Sequence, residues 1–285
     1  MYVESRALAA GMAFVATAVS ASVATANPAV LTPHRAIYDI ALVAARAGAG
    51  MSELSGRMVY ELTGSTCDGF TQSMRFVTRT TNQEGQVSVS DMRSSSWEDL
   101  AGDRFRFNSS QYRDDALQDQ TSGEATRRKS PPEIRVEITR PKKKVNKLPV
   151  NTLFPIQHSM QLLGAARDGK TTFTADLFDA SEKGEKVYAT HAYIGTKREP
   201  GYNKSLPEVG SASVLDGLAA WPIALSYYDR GKENEDAVPS YELAFVFFDN
   251  GVSRRIRIDY GDFSIRGDLK ELIMLEPGKC DPAKK

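Results

Sequence analysis

Cysteine, histidine and tryptophan are scarce in this sequence: 285 residues hold two cysteines, three histidines and two tryptophans. The histidines, His34, His158 and His191, are scattered, and no HExxH or CxxC spacing occurs, so no zinc site is spelled out. A GxSxG elbow is also missing, which removes the signature of a common class of serine hydrolase. Gly48-Ala49-Gly50 has the start of a phosphate loop, but Glu53 stands where the third glycine belongs and no helix pattern follows, so it reads as a turn. Neither sign of charge is in excess, with 36 Lys plus Arg against 36 Asp plus Glu. Proteins that hold nucleic acid by counterion release carry a basic surplus, so that class is disfavoured. No catalytic residue, metal ligand or cofactor is expected. What remains is an ordinary globular composition, 41% hydrophobic and 25% charged, which excludes disorder of the whole chain.

Residues 1–26 read as a cleaved signal peptide. Ala7 to Ala24 are almost all small or apolar, Arg6 precedes them, and Ala24-Thr25-Ala26 is a small-x-small ending that a signal peptidase accepts. The alternative is an uncleaved anchor, because about 18 apolar residues just span a bilayer. Alanine and serine dominate the stretch and leucine is scarce, which favours cleavage. No later apolar run approaches membrane length, so a periplasmic protein that is not integral to the membrane is expected. Residues 27–285 would then form one domain.

Export changes the meaning of Cys67 and Cys280. In an oxidising compartment two cysteines read as a disulfide, here tying the start of the mature chain to its end. The competing reading, a reactive or metal-binding cysteine, calls for a neighbouring histidine or a CxxC spacing, and the sequence supplies neither.

Period-two alternation runs through most of the chain. Ile134, Val136 and Ile138 oppose Glu133, Arg135, Glu137 and Thr139, and Ile256, Ile258 and Tyr260 oppose Arg255, Arg257 and Asp259. Similar runs occur at 34–43, 56–62, 71–80, 86–92, 104–107, 171–178, 187–195 and 241–249. Asn82-Gln83-Glu84-Gly85 and Asp249-Asn250-Gly251 separate such runs as hairpin turns do. The pattern predicts a mostly β protein of about ten to fourteen antiparallel strands, in a barrel, sandwich or spiral. Residues 114–132 and 197–214 are polar and rich in turn formers, and are expected to be mobile.

One segment breaks the pattern. Leu153, Ile156, Met160 and Leu163 recur at helical spacing within 152–168, with Asn151 or Thr152 as cap, Pro155 in the first turn and Gly169 at the end. A weaker helix is expected at 213–220, halted by Pro222. A lone helix on a sheet leaves a groove along its flanks. Phe154, Gln157, Met160 and Gln161 are the candidate binding residues there, the alternative being that the apolar ones are simply core. His158 is expected to pack rather than ligate. The basic runs Arg127-Arg128-Lys129 and Lys142-Lys143-Lys144 read as solvated loops, or as contacts for anionic head groups or an acidic partner.

Several stretches together resemble the alphaproteobacterial family of EipB-like cell-envelope integrity proteins. They are 34–39 (HRAIYD), 56–61 (GRMVYE), Cys67-Asp68-Gly69-Phe70, Phe154-Pro155-Ile156-Gln157-His158, Leu162-Leu163, Leu177-Phe178-Asp179, Val187-Tyr188 and the terminal Cys280. The resemblance implies an open β-spiral, comparable to the sheets of the LolA/LolB-like periplasmic lipoprotein carriers, with one packed helix and a Cys67–Cys280 bridge. It implies a periplasmic role in envelope integrity without enzymatic activity, through a periplasmic protein partner such as a repeat-type envelope protein. The alternative is a carrier that shelters an acyl chain, lipoprotein or peptide in the concave face. An open apolar interior would favour the carrier, a filled one the binding protein.

Overall fold

The computed structural model describes residues 31–231 and 237–279. The expected signal peptide and Cys280 lie outside these residues. Eight strands come first: β1 (His34–Ala45), β2 (Glu53–Ser65), β3 (Gly69–Thr81), β4 (Val87–Glu98), β5 (Arg104–Arg113), β6 (Ala116–Lys129), β7 (Pro132–Arg140) and β8 (Lys144–Leu148). Helix α1 (Pro155–Arg167) follows, and then β9 (Thr172–Leu177), β10 (Tyr188–Ile194), β11 (Ala220–Asp229), β12 (Tyr241–Phe248), β13 (Ser253–Asp259) and β14 (Phe263–Met274). Each strand pairs antiparallel with its neighbour in sequence, except that β8 and β9 do not meet. Instead β1 pairs with β14, so two meanders join at their outer ends in sequence and form one 14-stranded sheet. The sheet therefore has two edges, β8 and β9, and the chain between them carries α1.

The alternation read from the sequence sets the inner face. Ile134, Val136 and Ile138 are buried, while Glu137 and Thr139 are exposed, as a strand with one wet face requires. Turn chemistry follows too. The Asn82 side-chain oxygen accepts the N–H groups of Glu84 and Gln86, and Gly85 takes φ +80° to close the β3–β4 hairpin.

The sheet curls around the helix. Leu62 and Phe70 from β2–β3 share one buried cluster with Tyr188, Trp221, Ile223 and Phe247 from β10–β12, with Ile156, Leu162 and Leu163 of α1 among them. Strands this far apart in the sheet reach one helix only if the sheet wraps it. Phe105 and Phe107 of β5 meet Phe154 and Phe178 in a second cluster, closed by Ile134, Val136 and Ile138 of β7. The Phe105 and Phe154 rings stack at 5.1 Å, and Phe178 meets Phe107 edge-on at 5.8 Å. The interior is filled.

Several expectations are corrected. Residues 116–129, expected to be mobile, form β6. Its inner face is built from Thr121, Gly123 and Ala125, small residues that leave room for Phe107 and carry little apolar signal. A Cβ on Gly123 would lie 2.7 Å from the Phe107 ring. Within 197–214, 3-10 turns at 202–205 and 210–215 bury Leu206, Ala212 and Leu215. Asn203 ties that segment down by donating to the Ala212 carbonyl at 3.0 Å. The second helix does not form: Pro222 sits inside β11.

Candidate functional site

Helix α1 begins at Pro155, three residues later than the sequence suggested, with Phe154 at the cap position and no side-chain cap of its own. The capping comes from elsewhere in the chain. The Glu98 carboxylate, at the end of β4, accepts the N–H of Ile156 at 2.8 Å and of Gln157 at 3.0 Å. Those are donors that a helix start leaves without partners. Glu98 is almost wholly buried, and burial pushes its carboxyl up to about 8, outweighing the two amides and the nearby Arg127 charge that pull the other way. At the other end the expected stop holds: Gly169 takes φ +73°, and the Lys170 and Gly169 amides donate back to Ala165 and Ala166.

Arg127, read from sequence as part of a solvated basic run, is corrected to a latch. Its guanidinium donates to the carbonyls of Gly102, Val150 and Thr152 and lies over the Phe154 ring. One β6 side chain thus binds the β4–β5 turn and the approach to α1 together. The approach is also tacked to the β9 edge, since the Leu153 N–H donates to Asp176 and its carbonyl accepts from Phe178. Glu98 and Arg127 had no sequence signal: each finds its partners across dozens of residues.

The four groove candidates do not form one surface. Phe154 is fully buried in the aromatic cluster, so it lines no open groove. Met160 is half-buried and packs on the cluster around the helix. The Gln157 amide donates to the Ala101 carbonyl at 3.1 Å, and a Cβ on Gly102 would strike that side chain at 1.8 Å. Gln157 is thus committed to the β4–β5 turn rather than to a free rim. Only Gln161 is exposed.

His158 packs, as its place on the helix suggested. Its Nε2 is 2.9 Å from the Thr190 hydroxyl, which donates its single proton to the Ala175 carbonyl at 2.8 Å. The hydroxyl must therefore accept, which fixes the Nε2–H tautomer. Burial pushes the imidazole down to about 4. His34 is buried against the Thr32 carbonyl. Among the described residues no His, Cys, Asp and Glu cluster is arranged to hold a metal. No cysteine among them is free, and Cys67 has a partner.

Two open clefts lie at the β8 edge. A cleft of about 640 Å³ runs along residues 144–149, walled opposite by Glu185, Lys186 and Val187. A second, of about 320 Å³, adjoins it at Lys144 and Glu185 and is lined by Ile138, Lys142, Lys143 and Lys183. No helix among the described residues is long and apolar enough to cross a membrane.

Comparison with known proteins agrees with this architecture. The chain is 37% identical over 279 residues to the cell envelope integrity protein EipB of Brucella abortus (strain 2308), covering 98% of this chain and 97% of that one. A crystal structure of a β-barrel-like protein of a domain of unknown function, also from Brucella abortus, superposes with a TM-score of 0.79 at 35% identity, covering 87% of this chain and all of that one. The EipB-like family model matches residues 25–276, and the chain belongs to that family.

Proposed function

We propose that the chain is exported to the periplasm and supports envelope integrity without catalysis, by binding another envelope protein. The relative's name supplies the envelope role. The observation that carries the binding reading is the filled interior: α1 and the rings of Phe105, Phe107, Phe154 and Phe178 occupy the space a carried acyl chain would need. A carrier calls for an apolar cavity of several hundred Å³ that encloses most of its ligand. The clefts described here are instead solvent-facing and rimmed by lysine. Glu98 and His158, two of the groups whose ionisation burial displaces, face the helix and its packing rather than a cleft, so they cap and pack.

Deleting the gene and challenging the cells with detergent and EDTA tests the reading. Sensitivity restored by the wild-type chain, and equally by a chain carrying Gln161→Glu, is expected. A deletion strain as resistant as its parent would overturn the envelope role.

A further inference from the structure

The two edges of the sheet are not treated alike. At β9 the outer edge is met by Leu153, whose N–H and carbonyl bond to Asp176 and Phe178. At β8 the sheet ends, with β7 as its only strand neighbour among the described residues. Residues 144–149 all face the larger cleft, and the smaller cleft continues it back to Pro141. At about 3.3 Å per residue, the five residues of β8 offer roughly 17 Å of extended backbone.

The walls of this channel are basic. Lys142, Lys143, Lys144, Lys147, Lys183 and Lys186 lie along it with Arg230, against Glu185 and Asp229. Lys144 pairs with Glu185, Lys147 with Glu133 and Lys186 with Asp229. Lys142, Lys143 and Lys183 pair with no acidic group among the described residues. Lys183 is held there by an unusual backbone: Glu182 and Lys183 take φ +48° and +62°, next to Gly184, which packs on Phe107 and Ile138. Left-handed backbone is unfavourable for residues that carry a side chain. Val145, half exposed on the same strand, adds an apolar contact.

We propose that the β8 edge and its channel take up an extended acidic segment of a partner protein, added as a further strand. The inference rests on the protein-binding reading above and names the surface and the partner's chemistry. Backbone groups of β8 supply the ladder, and the lysines select carboxylates over other side chains. Lysine on an edge also guards against aggregation. A guard strand needs only its charge, however, and not a continuous channel walled by lysines from a second segment.

The test uses the purified chain and a labelled peptide of about ten residues alternating Glu and Val, long enough to span the channel. It is expected to bind, to slow amide exchange in 144–148, and to weaken about tenfold in the Lys142→Glu, Lys143→Glu, Lys183→Glu variant with the melting temperature unchanged. The same peptide N-methylated at alternate residues should lose binding. Equal binding of the N-methylated peptide overturns strand addition. Binding of phosphatidylglycerol vesicles with none of the peptide overturns the proposal in favour of a lipid surface. Photo-crosslinkers at Val145 and Gln161 in the native periplasm separate the two levels. Protein crosslinks from Gln161 alone sink this inference and leave the binding reading standing; crosslinks from neither sink both.

Discussion

The Glu98 carboxylate lies under the first turn of α1 and accepts the Ile156 amide at 2.8 Å, joining β4 to a helix 58 positions away in sequence. A helix normally draws its cap from the residue just before it. Here the residue before it is Phe154, used for stacking on Phe105, and the capping oxygen comes from across the core.

Glu98→Ala should therefore destabilise by about 1–3 kcal/mol, since two buried amides lose their acceptor. The pH dependence carries a sign. Burial raises the carboxyl from 4.5 to about 8, so the folded state holds a proton that the unfolded chain has released. Stability from this group is complete below pH 4.5 and is lost as pH rises to 8, at about 1.4 kcal/mol per pH unit at most. Glu98→Gln removes the titrating group and should flatten that slope, at a cost in stability because its NH2 cannot accept one of the two amides. Urea unfolding between pH 5 and 8 measures it, and parallel wild-type and variant curves would refute the assignment.

His158 runs the other way. Its imidazole is pushed from 6.5 down to about 4, so the unfolded chain binds the proton and stability falls as pH drops through that window. Between about pH 4.5 and 6.5 the two groups oppose each other, and above it Glu98 acts alone. His158→Gln should expose the Glu98 slope below pH 6.5, visible as stability that declines from pH 4.5 upward where the wild type is flat. His158→Ala should cost about 2–4 kcal/mol through the cavity and the lost hydrogen bond to the Thr190 hydroxyl.

Strands were legible where one face is apolar and the other charged, as in β7, and hairpin turns where Asn and Gly fall together. β6 was hidden because its inner face is Thr, Gly and Ala, sized to the Phe107 ring rather than to a hydropathy scale. The helix was legible by its stripe and its Gly169 stop, but its cap was not, because Glu98 is remote. The groove failed for the same reason: local periodicity places Phe154 and Gln157 near the helix start but says nothing of Phe105 or Ala101, which claim them. The open edge at β8 depends on the order of all fourteen strands, which no local pattern contains.

Phe154 and Gln161 separate core from surface on one helix. Phe154→Ala empties a fully buried site stacked on Phe105 and over which Arg127 lies, and should cost about 3–5 kcal/mol. Gln161→Glu, on the exposed side, should stay within about 0.5 kcal/mol of wild type. Denaturant midpoints at matched slopes decide both, and a small Phe154→Ala effect would reopen the groove.

The remaining prediction concerns Cys67 and Cys280. The Gly278 amide donates to the Gly64 carbonyl at 3.0 Å, which lays the C-terminal segment on the β2–β3 turn, where the Cys67 amide meets the Ser65 hydroxyl. Cys280 follows Gly278 by two positions in the sequence. A bridge there closes nearly the whole domain, and chain entropy caps its contribution at about 5 kcal/mol. Fourteen paired strands and a filled interior hold the fold independently of it. Cys67→Ser and Cys280→Ser should each lower the melting temperature by the same amount, and the double variant by no more than either, because each removes one and the same crosslink. Thiol titration of exported, unreduced protein gives the direct check: no reactive thiol is expected in the wild type and one in each single variant, and two thiols in the wild type would end the case for the bridge.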